Sequence, residues 1–289
     1  MYGDRQNICQ VLQKSDHRKE KAMEIRKNSG PLKWILIGIS TLFLIVMLIL
    51  PLTYVLVTAF GEGIKVFVAS VTDYYALKAI GLTLEVTLIA VVVNTIFGIA
   101  ASWCITRFQF HGKKILSTLI DLPLTISPVI AGLIYILTFG RQSILYEYLR
   151  SAGIKMIFAV PGIVVATVFV TFPFISREII PVLSTLGTDE EEAAALMGAN
   201  GFTIFRKITL PQMKWGLIYG IILCTARALG EFGAVNALSK TRGQTFTLPL
   251  EIDALYMSGT DTSITSAFAV SSICLLYTSP SPRDRSVSR

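Results

Sequence analysis

Two runs of residues in this chain could do physical work. In Ala226-Arg227-Ala228-Leu229-Gly230-Glu231 a cation and a carboxylate stand four apart inside an apolar stretch. On a helix that spacing puts them on one face, within pairing distance. A charged pair in such surroundings is costly and turns toward a bundle interior or a water-filled path. It can serve there as a gate or anion-sensing element, or as an internal pair that locks packing. The second run is Asp189-Glu190-Glu191-Glu192, followed by three alanines, Leu196, Met197 and Gly198. Four acids in a first turn suit the positive end of a helix dipole. Thr188 fits as N-cap with Glu191 as its capping-box partner. Gly198 and Gly201 then break the helix, Phe202 to Ile208 can restart it, and Pro211 marks entry to the next segment. Other chemistry lacks its groups. His17 and His111 lie in basic, polar stretches, and Cys9, Cys104, Cys224 and Cys274 have no paired spacing, so neither catalysis, metal binding nor a disulfide framework is indicated. There is no G-x-x-x-x-G-K-[ST] phosphate cradle, so this chain is expected to be no enzyme and to bind no cofactor itself.

The elements that must position these runs belong to a bilayer. Apolar residues make up 53% and charged residues 16%, with a mean hydropathy of +0.62. Trp34 to Gly61 is free of charge, and a helix of that length reaches ~42 Å, more than the ~30 Å hydrocarbon core. Further apolar segments run from about Ile80 to Ile105, Ile115 to Phe139, Met156 to Ile175 and Trp215 to Ala237, and a sixth begins near Ser263 and stops at about Tyr277. The expected fold is all-α, a polytopic membrane protein of about six spanning helices with the last cut short. Prolines inside the spans imply kinks whose freed backbone groups face protein or water.

Charge orients the chain. With the N-terminus inside, the inner segments carry fifteen Lys and Arg and the outer loops seven, which favours a cytoplasmic N-terminus and a cytoplasmic 186–211 loop. The basic stretch 1–33 reads as an orienting tail rather than a nucleic-acid arm, and Met23 is an alternative start. Residues 34–277 read as the membrane domain. From Tyr277 the sequence switches to Ser, Pro and Arg, so 278–289 reads as a disordered, foreign tail.

The pattern E-A-A-x3-G-x9-I-x-L-P, filled by Glu192, Ala193, Ala194, Gly198, Ile208, Leu210 and Pro211, resembles the cytoplasmic coupling loop of permeases of binding-protein-dependent ABC importers. The runs Ala226–Val235, Thr241–Thr245, Thr247–Ile252, Ser127–Gly132 and Phe172–Glu178 are similar to permeases of sulfate and thiosulfate importers, of the W-type subunit, across about residues 34–275. That resemblance implies partner ATPase subunits that bind ATP and Mg, a second permease subunit in a heterodimer, a substrate-binding protein and the inner membrane. It also implies an alanine-lined helix seated in an ATPase groove, with Gly198 allowing close backbone approach. Arg227, Glu231, Ser127 and Pro128 become translocation-path candidates. Molybdate and tungstate permeases share the coupling loop and a similar G-E-F-G-A run, and remain an alternative. An ion-coupled secondary transporter would use carboxylates such as Glu85 and Asp121, and would be expected to show internal repeats, of which none is visible.

Overall fold

A computed structural model describes residues Pro31–Thr278; the N-terminal tail before Pro31 and the tail after Thr278 lie outside them. The chain divides into two units, ending at Val57 and beginning at Thr58. The described part of the first lies within α1 (Pro31–Phe60), up to Val57, and the side chains from Trp34 to Leu50 are all exposed. A helix apolar on every side is built for lipid or another membrane helix.

The second unit contains α2 (Ile64–Val71), α3 (Tyr74–Arg107), α4 (Lys113–Thr125), α5 (Pro128–Phe139), α6 (Ile144–Ser151), α7 (Val160–Leu186), α8 (Asp189–Leu196), α9 (Gly201–Ile204) with a π-helical turn over Phe205–Thr209, α10 (Leu210–Leu229), α11 (Gly233–Leu238), α12 (Leu248–Met257) and α13 (Asp261–Thr278). No strand occurs among the described residues. Three described helices are long and apolar enough to cross a membrane, α1 from Lys33, α3 and α7, and α4 with α5 makes a fourth if the bent pair is one span.

The centre of this unit is α3 packed along α7, with α10 against both. The contact follows from small residues at helical spacing. Ala76, Ala79, Thr83, Ala90, Asn94 and Ser102 form a buried stripe on α3, and Ala166, Thr167, Thr171 and Ser176 are buried on α7. Where lipid is as apolar as leucine, close backbone approach and hydrogen bonds hold helices together. Asn94 supplies such a node, with Nδ2 donating to Thr171 Oγ1 at 2.7 Å and to the Val168 carbonyl at 3.2 Å. Arg107 in the last turn of α3 reaches the Leu183 carbonyl near the end of α7, so both helices finish at the same end.

Two expected spans are broken. The 115–139 segment bends by 107° between α4 and α5. Ile126 and Ser127 are extended, and Pro128 opens α5; proline disfavours helical geometry in the residue before it. The 215–237 segment is not one helix either. It begins earlier, at Leu210, and stops at Leu229, and α11 starts afresh at Gly233. The final helix starts two residues earlier than expected, at Asp261.

The two breaks meet. A Cβ on Gly132 of α5 would lie 2.7 Å from the Ala234 carbonyl oxygen of α11, and the Pro128 ring approaches Gly233. Both half-helices then pack on α7 through Ala131, Ala166, Val170, Ala234 and Leu238.

Candidate functional site: the helical hairpin and the broken span

The loop after α7 folds as a helical hairpin. Thr188 sits at the N-cap of α8 without a side-chain capping bond, so the expected capping box with Glu191 does not form. Thr188 Oγ1 instead donates to Glu192 Oε1 at 2.7 Å, which frees Glu191 for a different task. Arg107 Nε lies 3.0 and 2.9 Å from the two Glu191 oxygens, and the same guanidinium donates to the Leu183 carbonyl at 3.1 Å. Thr209 Oγ1 donates to Glu191 Oε1 at 2.7 Å, and Gln212 Nε2 to Glu190 Oε2 at 2.8 Å. The acidic run is therefore wiring as well as a dipole complement: it ties α8 to the ends of α3 and α7 and to the start of α10. Arg107 and Glu191 keep only 7% and 14% of their side-chain surface exposed, so water screens this pair less than a surface one.

The turn of the hairpin is a Schellman motif. Ala199 N–H donates to the Ala194 carbonyl and Gly198 N–H to the Ala195 carbonyl, with Gly198 at φ +83°. A left-handed residue at this position favours glycine. The space around Gly198 is open within this chain, and the left-handed backbone by itself favours glycine there. The second arm returns through Asn200, whose side chain accepts from Phe202 N–H. Phe205 then seats against Trp103 at 5.0 Å and joins Leu210 beside the core formed by Ile175, Ile179, Leu183 and Met213. Of the motif residues, Ala194 is buried, Ile208 and Leu210 are half-buried, and Glu192, Ala193, Gly198 and Pro211 are exposed. At the tip Leu196, Met197 and Phe202 are 90%, 82% and 71% exposed. A hairpin anchored at its base and apolar at its tip has the form of a docking element.

The second candidate region is the break between α10 and α11. Arg227 Nη2 lies 2.8 Å from Glu231 Oε2, with Glu231 almost wholly buried and Arg227 one-third exposed. The pair forms as the spacing predicts, but Glu231 lies beyond the helix end, and its Oε1 accepts from Ala234 N–H at 3.0 Å. One carboxylate thus holds the arginine and satisfies an orphan donor of the next helix. Pro128 comes to this break through Gly233. Ser127 is the exposed N-cap of α5, its side chain making no capping bond. Of the two carboxylates considered for ion coupling, Asp121 is paired with Arg177 at 2.8 Å and Glu85 is exposed on α3.

Arg107, Thr209 and Asn94 carry this architecture, and sequence reasoning did not single them out. The available signal for Arg107 was a lone cation closing an apolar helix just before a short turn.

At the opposite end, Leu248 N–H donates to Thr83 Oγ1 at 2.7 Å. Arg242 Nε bridges both oxygens of the buried Glu251 at 2.9 and 3.0 Å while its guanidinium lies over Tyr75. The Glu251 bonds raise the Arg242 pKa further above its already high value, so the guanidinium stays charged opposite its carboxylate.

Membrane-crossing helices wired at one end to a projecting helical hairpin, with a charged pair at a broken span, define a polytopic permease. The chain belongs to the binding-protein-dependent transport system inner membrane component family, whose profile matches residues 95–279. It is 46% identical over 224 residues to the sulfate transport system permease protein CysW of Escherichia coli K12, covering 77% of each chain. The CysW protein of Synechococcus elongatus is 46% identical over 254 residues, covering 87% of this chain and 89% of that protein. Among solved structures, a bacterial alginate ABC transporter bound to its pentasaccharide-loaded periplasmic protein matches with a TM-score of 0.71 at 18% identity, over 86% of this chain and 92% of the other. That likeness is one of fold.

Proposed function

We propose that this chain is a membrane subunit of an ATP-driven importer of sulfate or thiosulfate. The observation that carries the mechanism is the exposed tip of Leu196 and Met197 on a helix whose base is tied to α3, α7 and α10. A partner that grips this tip moves all three helices, because the Glu191 carboxylate cannot leave Arg107 and Thr209 without stranding buried polar groups. The partner is an ATPase subunit, which holds the ATP and Mg that this chain lacks a cradle for. The excess of Lys and Arg on the hairpin side supports a cytoplasmic hairpin and N-terminus.

Substrate follows from the relatives, which are named as sulfate permeases. A second permease subunit completes the path, and a binding protein delivers the anion to the outer face. Arg227, Glu231, Ser127 and Pro128 sit where the two broken spans come together, and discontinuous helices commonly line transport sites. The path needs a weak, transient site, since tight binding would stop release. Uptake of labelled sulfate by the reconstituted complex is expected to require ATP, to need no ion gradient and to resist competition by molybdate. Gradient-driven uptake without ATP would overturn the importer reading; strong competition by molybdate would move the substrate to that oxyanion.

A further inference from the structure

At the end of the bundle opposite the hairpin, the α5–α6–α7 connection encloses a cavity of about 530 Å³, within the range of small-molecule sites. Its walls are of two kinds. Phe139, Leu149 and Met156 give it an apolar interior, and Arg141, Arg150 and Lys155 line it with positive charge. Ion pairs are found elsewhere, at Arg107, Arg177, Arg227 and Arg242, but none of these three cations has one among the described residues. All three are exposed, so water solvates them when the cavity is empty, and an anion seated in it would meet three cations that no carboxylate competes for.

Two further observations place the cavity at a membrane boundary and mark it as built. It lies where α5 ends and α7 begins, and the short α6 between them exposes Ile144 (85%) and Tyr148 (71%). A short helix with exposed aliphatic and aromatic side chains beside basic residues suits the headgroup region. Phe158, on the cavity wall, is the one non-glycine among the described residues with a positive φ, 54°, and Lys240 Nζ lies 4.4 Å from its ring centroid. Backbone strain of this kind persists where surrounding structure over-determines it, often at ligand clamps.

We infer that this cavity is a binding site for an anionic phospholipid, with the headgroup phosphate held among Arg141, Arg150 and Lys155 and the first acyl carbons against Phe139, Leu149 and Met156. A phosphate bears the charge those cations lack, and an acyl chain suits the apolar interior, whereas a free oxyanion would leave that interior empty.

The test is native mass spectrometry of the intact transporter complex released from nanodiscs of equal phosphatidylglycerol and phosphatidylcholine. The wild type is expected to retain phosphatidylglycerol in preference to phosphatidylcholine. The combined variant R141Q/R150Q/K155Q should lose that preference, by roughly a hundredfold if each cation contributes about fivefold. The variant K65Q/K78Q, which removes cations away from this cavity, should keep it. Equal retention of both lipids, unchanged retention in the triple variant, or equal loss in the control would each overturn the site. Displacement of the lipid by excess sodium phosphate would assign the cavity to a free anion instead. Loss of binding-protein association with lipid retention unchanged would assign it to protein docking.

Discussion

Two ion pairs among the described residues, Arg107–Glu191 and Arg227–Glu231, are built on opposite plans. Arg107–Glu191 joins residues 84 positions apart, at the base of the hairpin, and recruits a carbonyl of α7 and a hydroxyl next to α10. Arg227–Glu231 joins residues four apart across the end of a single helix, and its carboxylate also satisfies the helix that follows. A long-range pair can carry displacement, because moving one element drags the others. A local pair connects only the two consecutive helices beside it, and so it sets the shape of the break it sits in. In the proposed importer the hairpin end is the lever, and the broken span is the formed surface that it moves.

The largest expected effect lies at the lever's tip. Gly198→Trp puts a bulky residue at φ +83° between Met197 and Ala199. The backbone conformation costs about 1–2 kcal/mol, which the anchored base can absorb, so the protein should still insert. ATP-driven transport should fall by more than about tenfold, as for loss of an interface hot spot. Intact transport in proteoliposomes would mean that the tip docks nothing.

Next comes the broken span. Arg227→Ala leaves the nearly wholly buried Glu231 carboxylate without its cation, a loss on the order of 3 kcal/mol. Thermal unfolding in detergent should show it, and Glu231→Gln in the same background should recover part of it. Were the double variant no more stable than the single, Arg227 would matter through packing alone.

The lever's base should respond differently. Arg107→Ala is expected to cost about 2 kcal/mol of stability, less than Arg227→Ala because Glu191 keeps Thr209 and some solvent. It should nonetheless uncouple ATP hydrolysis from transport more than Arg227→Ala does. Equal uncoupling by the two variants would erase the distinction between lever and surface.

The sequence made the hairpin legible because its signals are local. Acids, alanines and Gly198 at fixed spacing say helix and turn, and a left-handed Gly198 delivers it. The Arg227–Glu231 pair was legible for the same reason. Glu191 was assigned to a capping box because capping is a local rule, and the stronger partner, Arg107, is invisible at a distance of 84 residues. The spans were legible as apolar runs, but the 107° bend was read only as a kink at a proline. Its size depends on what lies opposite, Gly233 and Ala234 of the other broken span, and no single-segment pattern encodes that meeting.

The smallest effect gives the sharpest test of the wiring. Thr209 is fully buried, and its hydroxyl shares Glu191 Oε1 with Arg107 Nε. Thr209→Val keeps the shape and removes one hydrogen bond, so stability should fall by only about 1 kcal/mol. If Thr209 and Arg107 hold one carboxylate jointly, Thr209→Val in the Arg107→Ala background should depart from additivity by at least about 0.5 kcal/mol, with uncoupling departing alongside it. The carboxylate loses its orientation once either donor goes, so the second removal acts on an already displaced group. Strict additivity in a double-mutant cycle would mean that α8 is held by independent contacts, and a lever made of independent contacts could slip at one without moving the rest.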